Sequence, residues 1–253
     1  MTEQRKNFPD FYVTASQPCP YIPGRLERKL FTHLTLEKPP PFIDNLLRWG
    51  FRRSQNIAYM PYCEGCHACV SVRVIVDEFI PTASMRRIVA SNKDILSRRV
   101  KASPNAEQFS LFRRYIDARH ADGGMADMSA LDYSLMVEES IIETKITEYR
   151  IKPAEEALSS DPNTWPLAAA ALSDHLSDGI SMVYSFYEPT ENKRGLGTYM
   201  ILETIQHAKS LGLPYVYLGY WIKGSRKMGY KTRFFPQEHL GQNGWERVAS
   251  VAK

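Results

Sequence analysis

Residues 185–236 read SFYEPTENKRGLGTYMILETIQHAKSLGLPYVYLGYWIKGSRKMGYKTRFFP, and this stretch decides the fold. It predicts a strand, a glycine turn, an amphipathic helix, a second strand and a basic-aromatic tail. The turn is Lys193-Arg194-Gly195-Leu196-Gly197-Thr198. Met200, Ile201, Ile205, Ala208 and Leu211 then recur at helical spacing and predict one buried helix face. Gly212 with Pro214 just beyond it marks the helix end. Tyr215-Val216-Tyr217-Leu218 follows as the next strand. A glycine turn at a helix start points backbone N–H groups at one spot, where anions bind.

Further upstream, Leu167–Leu176 and Ile180–Tyr187 predict a hairpin across Ser177-Asp178-Gly179, because Asp-Gly between two strand-like runs is a turn signal. Thr144–Ile151 reads as a preceding strand. Between them lies KPAEEALSSDPNTWP (152–166), expected as a surface loop or lid. Residues 106–120 predict an amphipathic helix with Phe109, Phe112, Tyr115 and Ile116 turned inward, and Ser129–Glu138 a second helix. Ser84 to Arg99 is expected to be helical throughout, and Phe42–Trp49 a short helix after the Pro39-Pro40-Pro41 spacer. Val70, Val72, Val74 and Val76 alternate as on a strand. The plan is α/β (α+β), a mixed sheet with flanking helices. Residues 1–100 are expected to form a small cysteine-containing N-terminal domain with a bridging helix, and 101–253 the sheet domain.

The composition, 43% hydrophobic and 24% charged over 253 residues, suffices for a real core. No run of about 18 apolar residues suggests a membrane span, and MTEQRKNFPDFYV has no apolar signal core. A cytoplasmic protein with no membrane partner is expected. The net charge of +4 excludes little, but its distribution is uneven. Residues 84–101 carry Arg86, Arg87, Lys93, Arg98, Arg99 and Lys101 against Asp94 alone. Residues 219–233 carry Lys223, Arg226, Lys227, Lys231 and Arg233 with no acid, interleaved with Tyr220, Trp221 and Tyr230. Cations pair with phosphates and aromatic rings stack on unpaired bases. A solvated charged face is the plainer alternative.

The glycine turn resembles the Arg/Gln-x-x-Gly-x-Gly/Ala signature of the GCN5-related acetyltransferase (GNAT) fold. The tail is more specific. Tyr217-Leu218-Gly219-Tyr220-Trp221-Ile222, Lys227-Met228-Gly229-Tyr230-Lys231 and Phe234-x-Pro236 resemble the C-terminal signature of aminoacyl-tRNA–protein transferases. The nearest match is their bacterial aspartate/glutamate leucyltransferase branch. Cys19-Pro20-Tyr21-x-Pro23-x-Arg25, Gly50-Phe51-Arg52-Arg53-Ser54, Tyr62-Cys63-x-x-Cys66-x-Ala68-Cys69-x-x-x-Arg73 and Arg114-Tyr115-x-x-x-Arg119-His120 extend the likeness from about residue 8 to about residue 240. The resemblance implies a GNAT-like sheet. It also implies transfer of an aminoacyl group, leucine before arginine, from charged tRNA to the N-terminal amine of proteins beginning with Asp or Glu, marking them for degradation. No cofactor is required by such a reaction.

Aminolysis of an activated ester is downhill, so orientation supplies much of the rate. The attacking α-amine has a reference pKa of about 7.7–8.0, so part of it is already neutral. An acidic acceptor needs a cationic partner, for which Arg52, Arg119 and Lys231 are candidates, with Tyr187 at the strand end beside them. The oxyanion and the leaving ribose oxygen need donors, for which Tyr220 and Tyr230 are candidates. His120 is the candidate base or orienter. Arg194, Gly195, Gly197, Lys223, Arg226, Lys227 and Arg233 are the expected tRNA contacts. Each has a bland reading: core tyrosines with satisfied hydroxyls, a helix-ending His favoured by the dipole, surface arginines.

Cys19, Cys63, Cys66 and Cys69 are the only cysteines. Their spacing suits zinc or an iron–sulfur cluster, and reduced thiols packing a small domain explain them equally simply. Two other classes of function remain. An acetyl-CoA-dependent N-acetyltransferase would use the glycine turn without tRNA. A non-catalytic RNA- or metal-binding regulator would bind tRNA and form no peptide product.

Overall fold

The computed structural model describes residues 10–35, 40–121, 123–153, 161–225 and 227–248. From the N-terminus run β1 (Tyr12–Val13), β2 (Gln17–Pro18), β3 (Leu26–Glu27), β4 (Lys29–His33), α1 (Pro40–Arg48), β5 (Arg52–Ser54), β6 (Ile57–Pro61) and β7 (Cys69–Ile75). They are followed by α2 (Ala83–Ser91), β8 (Ile95–Lys101), α3 (Ala106–Arg119), α4 (Ala130–Glu138), β9 (Thr144–Ile151), β10 (Leu167–Leu176), β11 (Gly179–Tyr187), α5 (Leu196–Ser210), β12 (Tyr215–Ile222), β13 (Gln237–Gly241) and β14 (Gly244–Val248). An eight-stranded mixed sheet in the order β14-β13-β7-β12-β11-β10-β9-β8 carries most of the chain. A four-stranded sheet, β1-β4-β6-β5, stands apart from it. The expected α/β class with helices flanking a mixed sheet is what forms, with the parallel pair β11–β12 joined through α5.

Helical periodicity in α5 buries Met200, Ile201, Ile205 and Ala208 against the sheet. Leu211, expected on that face, is 50% exposed. It lies at the helix end, where Gly212 takes the left-handed conformation that stops the helix. The other face of the sheet is covered by α3 and α4 through Leu111, Phe112, Ile116, Tyr133 and Val137. Full burial of side chains of this size contributes roughly 1.5–3 kcal/mol each. A third, smaller core (Leu34, Ile43, Leu46, Phe51, Ala58) lies beneath the four-stranded sheet.

Two expectations change. Ser84–Arg99 is not one helix. Thr82 caps α2, and Asn92 closes it with its side-chain amide donating to the carbonyls of Ile88 and Arg194, each at 2.8 Å. The chain then pairs with β9 as β8. The basic run 95–101 is therefore an edge strand, whose charges discourage pairing with another chain, and Arg99 is bound to Glu203 of α5 at 2.5 Å. The strands β1 to β6 and the hairpin β13–β14 were not foreseen. The large sheet takes β7 from before residue 100 and β9 to β14 from after it. Residues 154–160 of the expected lid at 152–166 lie outside the described residues, and Pro162–Thr164 form one short 3-10 turn capped by Asp161. Among the described residues no helix is long and apolar enough to cross a membrane.

Successive residues of a strand point to opposite faces, and on β5 this separates two adjacent arginines. Arg53 goes inward. Its guanidinium donates to both Asp174 oxygens at 2.7 and 2.8 Å, with both side chains fully buried. Thr144 donates to the same carboxylate at 2.7 Å. The pair fastens the small sheet to β9 and β10. Asp174→Ala is expected to lower stability by about 3–5 kcal/mol by leaving a buried charge unpaired. The double variant Arg53→Met/Asp174→Leu is expected to recover most of that loss in urea denaturation.

Candidate active site

Strands β11 and β12 pair in parallel only at Gly179–Tyr215, Ile180–Val216 and Ser181–Tyr217. Each then bulges. The β10–β11 register slips at Val183, and the β12–β7 register slips at Leu218. Bulges bend strands and interrupt their ladders, so a gap opens between β11 and β12. Backbone carbonyls facing a gap need donors. Arg52, the outward arginine of β5, supplies them: its Nη2 donates to Met182 O at 2.9 Å and Val183 O at 3.0 Å. Gly219 makes room for it. A Cβ there would lie 1.9 Å from Arg52 Nη1, and the backbone has φ +74°, which favours glycine.

Around the gap the expected site residues gather. Tyr187, at the end of β11, packs against Tyr115 (5.0 Å between ring centroids) and lies 3.4 Å from where a Gly197 Cβ would be. The Arg119 guanidinium sits 5.7 Å from the Tyr187 ring. His120 packs edge-on against Tyr115 at 5.5 Å. Burial, then Lys227 and Arg119, hold the His120 imidazolium below its ordinary range. Tyr230 keeps 44% of its surface exposed, yet burial of its hydroxyl end raises its pKa, with Arg52 pulling the other way and Tyr187 adding to the rise. Tyr115, expected as an inward-facing residue of the helix and part of the family-like motif, is not among the expected site residues. Its hydroxyl is pushed up to about 12 by burial, Tyr187 and Tyr230. An aromatic in second place of the Arg-Tyr-x-x-x-Arg-His run and one helical turn from Arg119 is the available signal.

Several expected residues are placed otherwise. Lys231 is 5% exposed, and its Nζ donates to the Tyr220 carbonyl at 2.5 Å. Burial and Arg52 lower its pKa to about 7. The Tyr220 hydroxyl donates to Gly50 O at 2.8 Å and lies 3.2 Å from Tyr59 O, and burial holds it firmly protonated. It thus fastens β12 to the N-terminal segment. Arg194 is committed to Asp94 (2.8 and 2.9 Å) and Glu191 (2.9 Å). Gly195, at φ +65°, is wedged against Ile88, which a Cβ would meet at 3.3 Å. The left-handed turn at the start of α5 is therefore a packing joint with α2. Lys223, Lys227 and Arg233 are exposed near the end of β12, and Arg226 lies outside the described residues. Neither Arg52 nor Arg53 is a free surface charge: the first is half-buried, the second fully buried. Among the described residues no carboxylate pairs with Arg52 or Arg119, whereas neighbouring Arg113 and Arg114 are bound to Asp117 and Glu188.

The family description "Arginine-tRNA-protein transferase, C terminus" matches residues 107–241, and "Arginine-tRNA-protein transferase, N terminus" matches residues 17–87. The chain belongs to the arginine-tRNA-protein transferase family. Its relatives include a protein of Sinorhizobium medicae named aspartate/glutamate leucyltransferase, 57% identical over 98% of this chain and 96% of that one. One of Nitrobacter hamburgensis with the same name is 56% identical over 98% and 95%. A solved structure, that of FemX, is 11% identical over 80% of this chain and 67% of that one, with a TM-score of 0.49.

For this family member, the thiols of Cys19, Cys63 and Cys66 lie near enough to Cys69 to act on it. Burial first, and then those three thiols, push the Cys69 thiol up to about 11. Cys63 reaches the Arg28 carbonyl at 3.6 Å. Metal ligation needs thiolates. As placed, no three His, Cys, Asp or Glu side chains among the described residues could hold a metal ion.

Two outcomes are expected. Gly219→Ala forces a strained backbone and expels Arg52, lowering stability by about 1–3 kcal/mol and activity at least roughly tenfold, measured by denaturation and by transfer assay. For Lys231 the folded pKa lies below the unfolded one, so the unfolded chain binds the extra proton and stability rises with pH from about 7 toward 10.5. Between pH 7 and 9.5 the parent protein should gain stability relative to Lys231→Met. Parallel curves would contradict the burial of a partly neutral amine.

Proposed function

We propose that this chain transfers leucine from leucyl-tRNA to the α-amine of proteins beginning with Asp or Glu. The observation that carries this reading is the near full-length similarity to relatives named aspartate/glutamate leucyltransferase. The site chemistry suits it. Arg119, without a carboxylate partner and beside Tyr187, receives the acidic side chain of the acceptor. His120 is held neutral by burial and its cationic neighbours, so it can take a proton from the attacking ammonium. Tyr230 is held protonated and can donate to the tetrahedral oxygen or to the departing ribose oxygen. Arg52 keeps the gap open between these groups. In the attack, the amine nitrogen bonds to the ester carbonyl carbon, the bond to the ribose oxygen breaks, and that oxygen leaves with a proton. Lys223, Lys227 and Arg233 provide cations for the tRNA backbone.

Leucine is favoured over arginine because, among the described residues, no buried acid is left unpaired by an arginine of the chain itself. The buried carboxylates among the described residues, Asp174 and Glu148, are already paired with Arg53 and Arg150. Acetyl-CoA is disfavoured because Arg194 and Gly195 of the glycine turn are tied into contacts with Asp94 and Ile88.

The direct test is transfer of labelled leucine or arginine from charged tRNA to peptides beginning with Asp, Glu or Ala. Leucine should appear on the Asp and Glu peptides and not on Ala; arginine alone on those peptides would replace the donor. Arg119→Ala is expected to raise the acceptor KM roughly 10- to 150-fold, as loss of a charged hydrogen-bonded partner does, with kcat within about twofold. An unchanged KM would remove Arg119 from acceptor recognition.

A further inference from the structure

The four-stranded sheet has one packed face and one open face. Leu30, Ala58 and Met60 point into the third core. On the opposite face, strand register places Tyr12 beside Phe31, Phe31 beside Tyr59, and Tyr59 beside Arg52. Four strands thus lay three aromatic rings and a guanidinium in one row, and the last member is the arginine in the β11–β12 gap. Tyr12, at the outer end, is 49% exposed, and its ring lies 5.6 Å from that of Phe31. His33 packs edge-on against both, at 6.1 and 5.8 Å. Beside the row runs a groove of about 290 Å³ lined by Thr14, Lys29, Phe31, Ser54, Ile57 and Tyr59. Lys29 Nζ stands 5.6 Å from the Tyr59 ring and also contacts Glu27 of β3 at 3.2 Å. On this face the strands carry Lys29, His33 and Arg52 and no acidic residue, Arg53 being buried on the other face against Asp174.

We propose that this face is a stacking platform for the unpaired 3′ nucleotides of tRNA, leading the strand from Tyr12 to Arg52. Three features select this occupant. Rings in a row, exposed at Tyr12 and half-buried at Phe31 and Tyr59, offer faces on which bases of any sequence stack. Lys29 and Arg52 on a face whose own strands carry no carboxylate suit a phosphate backbone. Continuity with Arg52 directs the strand's end to the gap, where an ester on the terminal ribose has to lie. The proposal rests on the reading of the donor as an aminoacyl-tRNA.

It is tested by anisotropy with uncharged tRNA, either intact or trimmed of its unpaired 3′ nucleotides, at fixed salt. The unmodified protein should bind intact tRNA at least about fivefold more tightly than trimmed tRNA, the lower end of one base–ring stack. Tyr12→Ala should abolish most of that preference, Tyr12→Phe should retain it, and Lys29→Ala should lower the salt dependence by about one contact. Tyr12 is exposed, so its substitution leaves the core intact. Equal preference in Tyr12→Ala and the parent, or no preference in the parent, overturns the platform. So does a rise in acceptor-peptide KM in Tyr12→Ala with tRNA binding unchanged, which would assign the face to the polypeptide. Leucine transfer that continues while the preference is unaffected by Tyr12→Ala removes the platform alone. Preference lost in Tyr12→Ala, in a parent that transfers no amino acid from any tRNA, removes the donor assignment alone.

Discussion

The structure depends on one side chain in an interrupted sheet. Two parallel strands part after three residue pairs, and the carbonyls of Met182 and Val183 turn toward Arg52. Without those donors the bulged carbonyls would lack partners, at a cost comparable to lost hydrogen bonds. With them, the opening becomes a fixed feature of the fold. Arg52 comes from the N-terminal sheet, so the gap in the large sheet is completed by an element far away in sequence.

The same junction explains why the N-terminal sheet and the transferase sheet act together. Arg53 binds Asp174, Tyr220 donates to the Gly50 carbonyl, and Lys231 donates to the Tyr220 carbonyl. These buried polar links join β5, β10, β12 and the segment after β12. The exposed groups Arg119, Tyr230, Lys223, Lys227 and Arg233, which we propose meet the substrates, take no part in these links. The division of labour is chemical: buried cations hold the frame, and exposed ones at its rim are those proposed to meet anionic ligands.

Much of this was legible in the sequence, for physical reasons. Strong periodicity gave α3, α5, β9, β10 and β11, because one face of each packs against a core. The motif residues Arg52, Arg119, Tyr187 and Tyr230 do come together. The helix expected through Arg99 failed because Asn92 satisfies carbonyls from two segments at once, a tertiary contact invisible to local patterning. The two- and three-residue strands of the N-terminal sheet were too short to show a period. Lys231 and Tyr220 looked like reactive groups because their hydrogen-bond partners, backbone carbonyls, leave no mark on a sequence. Gly219 interrupts an otherwise strand-like Tyr-Leu-Gly-Tyr-Trp run, a bulge signal that the reading of the sequence left unused. What it could not reveal was the guanidinium filling the space.

The most direct measurement is leucine transfer, as kcat/KM, together with thermal stability, for Arg52→Lys. A lysine keeps the charge but lacks the planar fork that reaches two carbonyls from one group. The Arg52 bridge requires kcat/KM to fall at least roughly tenfold, with a lowered melting temperature. Parent-like values for both would show that a positive charge alone suffices and would contradict the central place given to the Arg52 bridge.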